Sequence, residues 1–190
     1  MKQTRHLLIA LALGTMLTSC GASVSTATVT GPAAYVDPYI GSGGHGHVFV
    51  GASVPFGAIQ AGPQNIHKGW DWCSGYHHSD SIVIGFAHTH LSGTGCTDMG
   101  DVQIMPYTGE LRSKRGRQED IGGSCSSYYS HDNESVSPGY YSLKMDNGVR
   151  IEMTASTRTA LHRITYPEAE GRRLLINLEE GNGDGAYDTY

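Results

Sequence analysis

No apolar run in this sequence reaches the ~20 residues that a membrane-spanning helix requires. The amino-terminal stretch Leu7 to Leu17 stops well short of that length. Positive charge is also scarce: 13 Lys and Arg stand against 18 Asp and Glu, for a net charge of -5, and the basic residues are dispersed apart from Arg112 to Arg117. That distribution leaves no electrostatic footprint for nucleic acid, and the RSKRGR cluster reads as a solvated turn. Of four cysteines, Cys20 stands at the end of the leader and is set apart from disulfide pairing; the remaining Cys73, Cys96 and Cys125 allow one internal disulfide at most. Long helical patterns and internal repeats are absent too. What remains is a chain of short strands and turns.

Residues 1–20 have the form of a secretion signal: Lys2 and Arg5, the apolar stretch, then small residues up to Cys20. Leu17-Thr18-Ser19-Cys20 resembles a bacterial lipobox, in which the cysteine is lipidated, becomes residue one and tethers the protein to a membrane without spanning it. Residues 21–34 are small and rich in hydroxyls up to Pro32, which predicts a flexible tether. No acidic residue follows Cys20 closely, which favours an outer-membrane lipoprotein facing the periplasm over one exported to the cell surface.

From Tyr35 onward about 155 residues remain, enough for one domain with its own core. Tyr141, Leu143 and Met145 alternate with polar positions, and after Asp146-Asn147-Gly148 the alternation resumes at Val149, Ile151 and Met153. This is a hairpin, its turn marked by Asn147-Gly148. Further strands are predicted at Arg158 to Tyr166, Arg172 to Leu178, His47 to Val50, Phe56 to Ala61, Ser81 to His88 and Val102 to Pro106. Successive strands without intervening helices imply an all-β, antiparallel β-sandwich.

Chemistry concentrates in the middle. Residues 41–100 hold 13 of the 26 glycines and 7 of the 10 histidines. His88 and His90 follow an apolar run, and on a continuing strand both imidazoles would face one site. With Asp98 and Asp101 they form a conceivable transition-metal set, set against a simpler role of holding the loop and presenting polar atoms to a ligand. Trp70 and Trp72 would likewise share one face of a strand, either packed in the core or exposed as a platform for a pyranose. Pro55-Phe56-Gly57 reads as a turn entering a strand, leaving Gly57 where a substrate approaches the backbone. Gly43-Gly44-His45-Gly46-His47 lacks the lysine of a phosphate loop, and Ser92 lacks a nucleophile elbow.

Three blocks carry a resemblance: Tyr35 to Asn65 (YVDPYIGSGGHGHVFVGASVPFGAIQAGPQN), Trp70 to Asp80 (WDWCSGYHHSD) and Gly85 to Asp101 (GFAHTHLSGTGCTDMGD). Together they resemble the amino-terminal domain of glycoside hydrolase family 92, calcium-dependent, inverting, exo-acting α-mannosidases. The resemblance implies a β-sandwich at residues 35–190 docked on a much larger helical (α/α)6 domain, with the active site in the cleft between them. It implies a mannose-containing glycan as partner and calcium as cofactor, with ligands mainly outside this chain. The Trp70 position is the one it brings to the leaving-group sugar. The family's catalytic acid and base belong to the helical part, so no catalytic role passes to a carboxylate here, and no metal ligand is assigned to Asp98, Asp101 or Asp184. Gly57, Trp70, His88 and His90 are the substrate-binding candidates.

Cys73 and Cys96 lie in two of these blocks, which makes them the pair to expect if a disulfide forms; buried thiols are the alternative. The polar tract Glu179 to Gly185 before Tyr190 reads as a loop inside a domain, so the chain is expected to be part of a longer enzyme and inactive alone. The rival reading is a noncatalytic, lipid-anchored glycan-binding module.

Overall fold

The computed structural model describes residues 29–114, 124–168, 170–178 and 181. Cys20, the signal segment, Arg115 to Arg117 of the basic cluster and Asp184 lie outside them. The end of the expected tether is described: Gly31–Tyr35 forms a short 3-10 helix with Pro32 in its first turn and no buried residue.

The rest is antiparallel sheet. Strands β1 (Ala52–Ser53), β2 (Gln60–Asn65), β3 (Ile82–Ala87), β4 (Gln103–Tyr107) and β10 (Arg173–Asn177) pair in that order, with β5 (Ser127–Tyr128) added beside β3. Strands β6 (Glu134–Ser137), β7 (Tyr140–Lys144), β8 (Arg150–Ala155) and β9 (Ala160–Thr165) form a second sheet, each paired with the next. The two sheets close on one core, in which Ala61, Val83, Phe86 and Met105 of the first meet Tyr141, Leu143, Ile151 and Met153 of the second. This is the β-sandwich the sequence implies.

The β7–β8 hairpin forms as its alternation dictates. Tyr141 lies opposite Met153 and Leu143 opposite Ile151, all four buried, while Lys144 and Arg150 face outward as a pair. The loop has three residues: Gly148 adopts φ 84° and Asn147 instead accepts a bond from the Val149 N–H at 3.0 Å.

In the amino-terminal half, boundaries moved. His47 to Val50 is not a strand; His47 has φ 55°. The strand expected at Phe56 to Ala61 begins only at Gln60 and runs on to Asn65 through Gly62 and Pro63. Those residues suit a strand poorly. The pairing is imposed by tertiary contact: a Cβ on Gly62 would sit 2.4 Å from the Val50 carbonyl oxygen, so only glycine lets the two segments approach.

One buried carboxylate ties the halves together. Glu134, at the start of β6, accepts hydrogen bonds from Tyr76 (3.0 Å) and Tyr141 (2.7 Å) and lies 2.7 Å from His131 Nδ1. Burial and this carboxylate push both tyrosine hydroxyls well above their ordinary range.

Candidate functional site

Trp70 and Trp72 lie on a 3-10 helix, Trp70–Trp72, rather than a strand, so the expectation of a shared face fails. Helical turning sends them apart. Trp72 is half-buried, donates from Nε1 to Asp80 Oδ2 at 2.8 Å and stacks on His77 with centroids 4.4 Å apart. Trp70 is 59% exposed. Its Nε1 donates to the Gly95 carbonyl at 2.8 Å, fixing the indole while leaving much of its face open. Gly95, at φ 71°, lies so close that a Cβ would stand 3.0 Å from that nitrogen.

Around this indole stand residues the sequence reading passed over. The His47 ring meets it edge-on at 4.2 Å and the His45 ring lies tilted at 5.5 Å. Asp71 is 2.6 Å from His45 Nδ1 and 3.6 Å from His47 Nε2. The hydrogen bond from His45 holds its carboxyl below the usual carboxylate range. The signal was present as alternating histidines in GGHGHV and an aspartate between two tryptophans, but nothing in either segment says that they meet.

His88 and His90 do not face one site, because β3 ends at Ala87 and the backbone turns. His88 Nδ1 bonds the Val102 carbonyl, and its Nε2 is 2.8 Å from His162 Nε2 on β9. His90 is buried, with Nδ1 2.7 Å from the Gln60 carbonyl and its ring stacked 4.9 Å from Phe49. Burial pushes it down to about 4, so it is a neutral part of the protein interior. His88 lies nearer the surface.

Gly57 closes a turn, its N–H donating to the Val54 carbonyl at 2.9 Å; a Cβ there would lie 3.0 Å from Val54 Cγ2. The preceding Phe56 is fully exposed at φ 59°, a rare conformation for a bulky residue. Such strain at an exposed aromatic marks a candidate contact. Beside this turn runs a groove of about 330 Å³ walled by Val36, Pro38, Phe49, Val54, Pro55 and Pro138.

The aspartates serve the loop. Asp98 Oδ1 accepts from the Met99 N–H at 2.7 Å and Asp101 Oδ2 from the Thr89 hydroxyl at 3.2 Å. Among the described residues no three His, Cys, Asp or Glu converge in a metal-binding group, so they do not fit calcium or a transition metal by themselves. Ser92 Oγ accepts from the Phe49 N–H at 3.1 Å, a structural role. Cys73, Cys96 and Cys125 are thiols, not joined by a disulfide; burial raises Cys73 and Cys125.

Comparison with known proteins points one way. A family GH92 α-mannosidase of Bacteroides thetaiotaomicron, solved with mannoimidazole, is 40% identical, superposes with a TM-score of 0.75 and is matched over 79% of this chain and 20% of its own. A family GH92 inverting mannosidase of the same organism is 27% identical at a TM-score of 0.63, over 78% of this chain and 20% of its own. An uncharacterized secreted glycosidase of Arthroderma benhamiae is 32% identical over 158 residues, 76% of this chain and 19% of that protein. The chain thus spans about a fifth of these relatives. With the glycosyl hydrolase family 92 N-terminal domain matching residues 35–189, the chain belongs to family 92 of the glycosyl hydrolases.

Proposed function

We propose that this chain is the amino-terminal part of an exo-acting α-mannosidase, and that it forms one wall of the cleft in which mannose-containing glycans bind. The observation that carries this reading is the 40% identity, over 79% of the chain, to an α-mannosidase solved with mannoimidazole. The exposed Trp70 indole adds support: its face can cover the C–H surface of a pyranose while polar neighbours bond the hydroxyls. Trp70 takes the leaving-group sugar, and the Phe56-Gly57 turn and His88 line the same wall. His90 supports it from within.

The reaction proposed for the intact enzyme is hydrolysis with inversion, the stereochemistry named for one relative. Such enzymes set a protonated carboxylic acid and a carboxylate ~6.5–9.5 Å apart, one assisting the leaving oxygen and the other activating water on the opposite face. This chain's share is to bind and orient the sugar being left behind, and to shield the cleft from bulk water on one side. The helical domain is the partner that supplies the carboxylates. Calcium is the cofactor that the family resemblance implies, with ligands mainly outside this chain. The lipobox reading adds a lipid on Cys20 and a periplasm-facing place on the outer membrane.

The test is hydrolysis of an aryl α-mannoside by the full-length protein, followed by proton NMR. β-Mannose forming first is the expected result. No mannose release, or α-mannose forming first, overturns the reading. Separately, Cys20→Ser should move the protein from the membrane to the soluble fraction; unchanged membrane association removes the anchor.

A further inference from the structure

His47 is an unusual residue. Only 7% exposed, it adopts φ 55°, its carbonyl is held by the Gly93 N–H at 2.7 Å, and its buried Nε2 has no hydrogen-bond partner. That nitrogen points to Asp71 Oδ1 at 3.6 Å, the oxygen already taken by His45 Nδ1 at 2.6 Å. Backbone strain and an orphaned buried nitrogen are both costly, and here they meet beneath an exposed indole.

We propose that Asp71 and His45 are the hydrogen-bonding edge of a sugar subsite floored by Trp70, that His47 is the positioning residue beneath Asp71, and that this edge selects a pyranose with two adjacent hydroxyls. The proposal rests on the reading that Trp70 takes the leaving-group sugar. With Oδ1 committed to His45, Asp71 keeps Oδ2 as an open acceptor, and its side chain is 28% exposed. The His45 side chain is 77% exposed, and with Nδ1 engaged its Nε2 remains available. A carboxylate oxygen takes one hydroxyl proton, and, with the Nδ1–H given to Asp71, the Nε2 of the neutral His45 ring accepts from the next hydroxyl. The indole covers the C–H face between them. Such an edge distinguishes sugars by hydroxyl position, which stacking alone does poorly, because a site built to bond a hydroxyl is left unpaired by the analogue without it.

The test uses the full-length enzyme with an aryl α-mannoside, mannobiose, and mannobiosides lacking one hydroxyl of the reducing sugar. Trp70→Ala tests the underlying subsite: the mannobiose-to-aryl ratio of kcat/KM should fall at least about 10-fold, and an unchanged ratio overturns the subsite itself. Asp71→Asn and His45→Ala should each lower that ratio by about 10-fold. One deoxy substrate should be cleaved about 10-fold more slowly than mannobiose by the wild type, but no more slowly by Asp71→Asn. A selective Trp70→Ala effect beside an Asp71→Asn enzyme that still discriminates the deoxy substrates overturns the hydroxyl edge while leaving the subsite standing. For His47, Gln supplies an N–H at comparable reach, so His47→Gln should keep the ratio that His47→Ala loses. Equal losses in both overturn its positioning role.

Discussion

The β6–β9 sheet and the glycine-rich segment 41–102 share one core, yet they are built by different means. In the sheet each strand pairs with its sequence neighbour, and large apolar side chains alternate inward. In the segment, the chain doubles back through turns, and it contains every non-glycine residue with positive φ among those described: His47, Phe56, Met99 and Val102. Strain costs of order 1–3 kcal/mol per residue and persists only where the surroundings over-determine it. The regular sheet supplies that surrounding, partly through Glu134, whose buried carboxylate bonds Tyr76 of the segment. One region provides stability, and the other spends some of it on presenting a surface.

The largest effect should come from the regular region. Leu143 is fully buried between the sheets, so Leu143→Ala should lower stability by ~2–5 kcal/mol in denaturant unfolding. A loss below about 1 kcal/mol would mean that the sheet is not the stabilising half. Next comes Trp70→Ala: the stacking of ~1–3 kcal/mol proposed for it should appear as a loss on mannobiose roughly 10–200-fold greater than on an aryl mannoside. Parallel losses on both substrates with a drop in thermal midpoint like that of Leu143→Ala would make Trp70 a packing residue and erase the contrast.

Acid should act in two successive windows, the upper one drawing on both regions. His90 is held neutral at about 4 by burial, against 6.5 ordinarily, so the unfolded chain binds its proton first as pH falls. Stability from this group is complete above 6.5 and is lost down to about 4, with a slope of up to about 1.4 kcal/mol per pH unit for one proton. His162, held near 4 by burial and by His88, adds to the same window. Glu152 in β8 is lowered from 4.5 to about 2 by Arg163, which donates to it across the β8–β9 pair at 2.6 Å; its contribution is lost only between those values. Urea titrations at several pH values should show His90→Gln flattening the upper window and Glu152→Gln the lower. An upper slope untouched by His90→Gln would mean that its burial is not maintained in solution. The smallest effect is at Phe56: with the side chain fully exposed at φ 59°, Phe56→Gly should leave the unfolding free energy unchanged or raise it by up to ~1 kcal/mol. A clear loss of stability would show that the turn is held by the phenyl ring itself.

The same contrast governs what could be read in advance. In the second half, alternation from Tyr141 to Met153 located the hairpin, and the expected ranges for β9 and β10 contain the observed strands, because side-chain period and local turns specify adjacent pairing. In the first half, β3 and β4 were found through their apolar runs, but β2 was misplaced: Gly62 and Pro63 give no strand signal. Trp70 was singled out by its block, and its exposure could not be. His88 and His90 were paired on the assumption of a strand that ends one residue too early.

The sequence by itself determined the sandwich class, the hairpin and, through three blocks of residues, the family, because each depends on local periodicity or on residue identity along the chain. Only the tertiary structure decided that Trp70 faces outward while Trp72 and His90 turn in, and that His45, His47 and Asp71 gather at one indole. Those contacts join residues about 25 positions apart through glycine turns with positive φ, whose directions no periodic pattern encodes.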